Sequence, residues 1–221
     1  KYFVKRVYQH WVEEYKIDGY RVDLSKGYTQ KNTLGNTAAF ANYDQSRINI
    51  LQEIKDYVNE VDTSAIMILE HFADNNEEVE LSNRGFLLWG NENHQYNEAS
   101  MGYASSLSGI YHANRGWSSP GLVGYMESHD EERLMYKNLN FGNSSGSYDI
   151  TDTAVALDRV ALDAAFFFTV PGPKMIWQFG ELGYNFSINR CTDGTIDANC
   201  RLSNKPIRWD FFTQPDRRDL Y

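Results

Sequence analysis

Three acidic residues of the 221-residue chain each close an apolar run: Asp23 in DGYRVDLSKGY, Glu70 at the end of AIMILE and Asp130 in YMESHDEER. Arg21 stands just before Asp23 in the same run. A lone charge among apolar neighbours is costly to desolvate, so the arginine and the aspartate are expected to be buried as a pair. Carboxylates gathered from several strand ends have a natural chemistry in glycoside hydrolysis. One attacks the anomeric carbon, and another protonates the leaving oxygen and later activates water. The two roles need opposite tuning. Arg21 is expected to keep Asp23 ionised, whereas desolvation and neighbouring carboxylates push Glu70 toward its protonated form.

Plainer readings stand beside this one. A single acidic residue at a strand end is commonly a loop cap or half of a structural ion pair. The cluster HDEER at residues 129–133 reads equally as the acidic first turn of a solvated helix, or, with His112, as part of a metal site. No H-E-x-x-H run supports hydrolytic metal chemistry. The run DGTID at 193–197 lacks the ligand spacing of a calcium loop.

The elements that must position these residues alternate. An amphipathic helix opens the chain, with the stripe Val4, Val7, Tyr8, Trp11, Val12 and Tyr15 in phase from the start, which predicts an internal piece of a longer element set. Strands are predicted at 19–24, 65–72, 85–90, 122–128 and 171–181. Helices are predicted at about 44–61, after 73, at 97–107 and at 152–170, the last facing Ala156, Val160, Ala164, Phe167 and Phe168 inward. Pro215 and Asp216 carry a further helix start. Nearly all-apolar strands alternating with helices specify a parallel α/β fold. Five such units are too few for an eight-stranded barrel, which typically takes about 250 residues. In a parallel barrel the C-terminal strand ends converge on one face, and Asp23, Glu70 and Asp130 all fall there. Phe72 and Trp89 fall on the same rim, as core residues or as sugar platforms, while Trp177 and Phe179 are read as packing within a strand. The patch GNSSGS at 142–147 reads as a turn or flexible insertion.

A net charge of -9 without any Lys or Arg cluster argues against nucleic acid and anionic membranes as partners. No apolar run approaches the roughly 18 residues of a membrane span. Cys191 and Cys200 flank a polar loop; bridged, they would mark an exported protein, and reduced they would suit the cytosol.

The chain resembles the catalytic barrel of the α-amylase family, glycoside hydrolase family 13. Residues 18–26, DGYRVDLSK, look like its fourth-strand motif, 66–70 like its fifth and YMESHD at 125–130 like its seventh. Residues 171–181, 204–210 and 89–99 are similar to the eighth strand, the segment after it and the sixth-strand region. The resemblance implies a (β/α)8 TIM barrel, here a partial barrel of strands four to eight over residues 1–221 that lacks the first three. It implies Asp23 as nucleophile, Glu70 as acid/base and Asp130 as the carboxylate that binds ring hydroxyls. Arg21 would partner the nucleophile, Lys26 would contact sugars on the leaving-group side, and His129 would assist Asp130. The substrate implied is an α-glucan such as starch, glycogen or maltodextrin, in an extracellular or periplasmic setting. The resemblance assigns no metal to these residues; calcium would belong to the complete domain, with the third-strand motif. Gly27 departs from the pattern, because many members carry His there. Three outcomes share these carboxylates: hydrolysis, glucan transfer of the branching type, or a catalytically silent glucan-binding relative.

Overall fold

The four residues GYRV form β1 (Gly19–Val22) and the run IMIL forms β2 (Ile66–Leu69), which pair in parallel in the computed structural model of residues 1–221. Their approach is close enough to demand a glycine. A Cβ on Gly19 would lie 2.1 Å from the Ile66 carbonyl oxygen, so any larger residue would separate the strands. The remaining strands are β3 (Leu87–Asn91), β4 (Leu122–Tyr125), β5 (Ser144–Ser145), β6 (Tyr148–Asp149) and β7 (Lys174–Met175). Five of them form one sheet in the order β1-β2-β3-β4-β7, with β2 parallel to β3 and β4 parallel to β7. The patch at 142–147 forms the small antiparallel hairpin β5-β6, which turns at Gly146 with φ +62°.

Helices alternate with the strands: α1 (Tyr2–Tyr15), α2 (Thr37–Ala41), α3 (Gln45–Asn59), α4 (Asn75–Asn83), α5 (Asn93–Ser100), α6 (Leu134–Phe141), α7 (Thr153–Thr169) and α8 (Pro215–Leu220). Two compact units divide the chain, residues Lys1–Trp89 with Tyr111–Val123, and residues Gly90–Ile110 with Gly124–Tyr221. In the first, Ile48, Leu51, Ile54 and Val58 of α3 pack with Val12, Val22, Met67, Leu69, Leu81 and Leu88 in a single apolar core. Asp44 starts α3 by accepting hydrogen bonds from the Ser46 main chain and hydroxyl, which satisfies an otherwise orphaned helix N–H. In the second unit, Ala156, Leu157, Val160 and Phe167 of α7 pack with Tyr96, Leu134 and Met135.

Three sequence expectations are corrected. The α1 stripe is too wide for one interface: Val4, Tyr8 and Val12 meet the core, while Val7, Trp11 and Tyr15 lie on an exposed flank. On α7, Phe167 is buried but the adjacent Phe168 turns outward, as a 100° step along a helix requires. The predicted strand at 171–181 is only the two residues of β7. Pro171 and Pro173 deprive its first half of donors, and a short 3-10 helix at Gly180–Leu182 ends it. Trp177 therefore lies in irregular chain and Phe179 in the turn that follows, neither in a strand, although Phe179 is buried against Tyr184.

Candidate functional site

β1 ends at Val22, and Leu24 takes a left-handed conformation at φ 42°, so the chain swings away from the sheet at Asp23. Asp23 consequently emerges with 75% of its side-chain surface exposed, which corrects the expectation of burial. Its partner is nonetheless the expected one. The Arg21 Nη1 donates to Asp23 Oδ1 at 2.5 Å, and Nη2 of the same guanidinium donates to Glu70 Oε2. Arg21 also lies over the Trp89 ring with 5.3 Å between guanidinium carbon and centroid, so the indole supports the cation.

Glu70 sits just past β2 and keeps only 15% of its side-chain surface exposed. Burial is the largest influence on its carboxyl and raises it above the ordinary 4.5; the neighbouring Asp23 carboxyl adds to the rise, and Arg21 offsets part of it. One guanidinium thus serves two carboxyls of unequal burial, of which the enclosed one is biased toward keeping its proton. Lys26 lies in the 3-10 turn Ser25–Gly27 beyond Asp23, where its ammonium donates to the Phe72 carbonyl at 3.1 Å and lies 5.3 Å over the Phe40 ring. Phe72 is partly exposed with φ 49° and stands at the rim rather than in the core. Gly27 adopts no left-handed angle, and a Cβ there would meet nothing within 4 Å, so neither backbone nor space dictates a glycine.

Asp130 belongs to the second unit. It follows β4 in the loop before α6, which starts only at Leu134, so HDEER is not a helix first turn. His129 Nε2 lies 3.3 Å from Asp130 Oδ2, and Arg201 donates to Asp130 Oδ1. The other two acids of the cluster are engaged in holding the loop. Glu131 accepts from Asn91 at 2.5 Å, and Glu132 accepts from the Ser187 hydroxyl at 2.6 Å and the Ile188 amide at 2.8 Å. The His129 ring packs against Trp177 at 5.7 Å between centroids. Sequence reasoning missed Arg201. The signal was its position next to Cys200, because Cys191 and Cys200 form a disulfide that anchors this residue.

No group of three or more His, Cys, Asp or Glu side chains is arranged to hold a metal ion. His112 is therefore not gathered with HDEER into such a cluster.

No protein-family model matches the sequence, and no curated protein sequence matches it. Solved structures do share the fold. A pullulanase from Anoxybacillus sp. LM18-11 in complex with maltotriose superposes with a TM-score of 0.66 at 14% identity, covering 99% of this chain and 31% of that one. The type I pullulanase of Bacillus subtilis str. 168 in complex with maltose gives 0.64 at 15% identity, with 99% and 31% covered. An α-amylase from Geobacillus thermoleovorans in complex with acarbose gives 0.59 at 17% identity, with 99% and 42% covered. At these identities the likeness is one of fold, and the chain spans less than half the length of each of these proteins.

Proposed function

We propose that this chain is the strand-four-to-eight portion of a retaining glycosidase of the α-amylase type acting on α-glucans. The observation that carries the reading is the Arg21 guanidinium bound to both Asp23 and Glu70, with Asp23 exposed and Glu70 enclosed and raised in pKa. Such a pair divides the labour of a double displacement. Asp23 attacks the anomeric carbon as Glu70 passes its proton to the departing glycosidic oxygen; the carbon–oxygen bond to the leaving sugar breaks and an ester to Asp23 forms. Glu70, now a carboxylate, takes a proton from water. The water oxygen bonds to the anomeric carbon, and Asp23 leaves as a carboxylate.

The proposal assigns Lys26 to sugars on the leaving-group side and, from the likeness of residues 125–130 to the family's seventh-strand motif, Asp130 with His129 to ring hydroxyls. Arg201 joins Asp130 as its ion-pair partner. The substrate class is supported by the crystal complexes of the pullulanases named above, whose ligands are maltose and maltotriose. The Cys191–Cys200 disulfide favours an extracellular or periplasmic setting, where such bridges persist.

Asp23→Asn in the full-length protein tests the reading. Turnover of amylose or pullulan is expected to fall by orders of magnitude, while a loss of only a few-fold would point to the silent, glucan-binding alternative. Counting new α-1,6 linkages against new reducing ends separates transfer from hydrolysis, which use the same carboxylates.

A further inference from the structure

A chain of buried polar groups runs behind the candidate acid, and none of it enters the mechanism above. Ser25 is fully buried; its amide donates to the Glu70 carbonyl at 2.8 Å and its hydroxyl donates to the same oxygen at 2.9 Å. The Ser25 hydroxyl oxygen lies 2.8 Å from Nδ1 of His71, and Nε2 of that ring lies 2.8 Å from Glu77 Oε1. Arg47 closes the chain with a two-pronged ion pair to Glu77, at 2.6 Å and 2.7 Å. The same guanidinium donates to the carbonyls of Lys26 at 2.9 Å, Phe40 at 3.1 Å and Asn42 at 2.9 Å. Burial alone would raise the Glu77 carboxyl, but the hydrogen bonds from Arg47 and His71 outweigh it and hold the carboxyl below its ordinary value. Ionised, Glu77 can only accept, so His71 Nε2 donates to it, and the one Ser25 hydroxyl proton is then shared between Nδ1 and the Glu70 carbonyl.

Serine, histidine and glutamate in hydrogen-bond sequence are also the parts of an acyl-transfer triad. Burial removes that reading. The Ser25 oxygen is enclosed and committed to a main-chain carbonyl, so no substrate carbonyl can reach it. The two loops that this chain touches carry strain. Leu24 and Phe72 are non-glycine residues held at φ 42° and 49°, one directly after Asp23 and the other soon after Glu70. Residues in that region persist where the surroundings over-determine them. Here the surroundings are Ser25 and Arg47 on the first loop and His71 and Glu77 on the second. Glu78, itself buried and paired with Arg115 at 2.5 Å, accepts from the Ala73 amide and fixes the second loop from its far side.

We propose that Arg47, Glu77, His71 and Ser25 form a positioning relay that clamps the loop after β1 to the loop after β2, and so sets the placement of Asp23 and Glu70 relative to the Arg21 they share. The inference rests on the glycosidase reading of that pair, and Ser25 and His71 are positioning residues rather than catalytic ones.

Two variants of the full-length protein test it, Ser25→Ala and His71→Gln. Amide hydrogen exchange reads the clamp without reference to activity. The Ser25 and Gly27 amides are expected to exchange at least about tenfold faster in both variants, with amides of α7 unchanged, because the opening is local. On an α-glucan, kcat is expected to fall by about one to two orders of magnitude at nearly constant KM, since a misplaced acid loses transition-state rather than ground-state contacts. Wild-type exchange rates at these amides in both variants would overturn the relay, as would an unchanged kcat. A wild-type protein without turnover would refute the glycosidase reading instead, and the exchange rates would still decide whether the clamp exists.

Discussion

Glu70 carries the sharpest residue-scale consequences, because its carboxyl answers to two neighbours of opposite sign. Burial and Asp23 raise it, and Arg21 lowers it. The alkaline limb of kcat/KM, which follows loss of the acid's proton, therefore lies above 4.5. Removing the Asp23 charge takes away one of the raising influences, so a carboxyl NMR titration of Asp23→Asn is expected to show the Glu70 pKa falling. A rise would reverse the sign of the coupling. Glu70→Gln is expected to cost about 10²–10⁴-fold on a natural glucan and far less on α-glucosyl fluoride, whose leaving group needs little protonation. Equal losses on both substrates would show that Glu70 is not the acid. The types and order of these residues were legible in the sequence, since each carboxylate closes an apolar run. Their exposure was not. Asp23 was expected in the interior, and only the left-handed turn at Leu24, which no local composition announces in a non-glycine residue, brings it out. The pairing of Arg201 with Asp130 was equally hidden, because it joins residues distant in sequence through a loop set by a disulfide.

At the scale of elements, periodicity located the five strands of the main sheet and most helices, missed α2, α6 and the β5-β6 hairpin, and failed where packing or proline intervened. It could not choose between the two flanks of α1, since Val4, Tyr8 and Val12 lie only about 60° around the helix from Val7, Trp11 and Tyr15. It overextended β7, because an apolar run containing Pro171 and Pro173 cannot keep its ladder. Caps, in contrast, behave as the sequence suggests. Asp44 is buried yet ionised: desolvation opposes its charge, but hydrogen bonds from Thr29 and Ser46 prevail and bring its pKa to about 2. The Asp44 amide in turn donates to Glu77 at 2.8 Å, so the cap of α3 and the start of α4 are held together. Asp44→Ala is expected to destabilise the protein by about 1–2 kcal/mol, the worth of an N-cap, in urea denaturation at neutral pH. A change below a few tenths of a kcal/mol would show that water replaces the cap without cost.

For the molecule as a whole, the second unit contains two acids that burial pushes far from their ordinary values. Glu127 is raised from 4.5 to about 7 and Asp163 from 3.8 to about 7, in each case chiefly by desolvation. Glu127 is enclosed between the Leu134 amide, which donates to it at 2.6 Å, and Gly180, where a Cβ would come within 2.7 Å of its Oε2. A carboxyl whose folded pKa exceeds its unfolded one holds its proton longer in the native state. Its stabilising contribution is complete below the unfolded value and is lost as pH rises through about 7. Stability is therefore expected to decline between pH 5 and 8. Glu127→Gln should remove up to about 3 kcal/mol of that decline, which thermal unfolding of the two proteins across the range would read. A wild-type curve that rises over the same interval would contradict the burial of these two acids.

The retaining mechanism has one direct signature, a covalent sugar on Asp23. A 5-fluoro-α-glucosyl fluoride forms its ester with the nucleophile quickly and releases it slowly, so mass spectrometry of the digested full-length protein can locate the label. The account predicts one added glycosyl group on the peptide containing DGYRVDLSK, at Asp23, and none in Asp23→Asn. A label on another carboxylate, or no label while the enzyme turns over glucan, would contradict it.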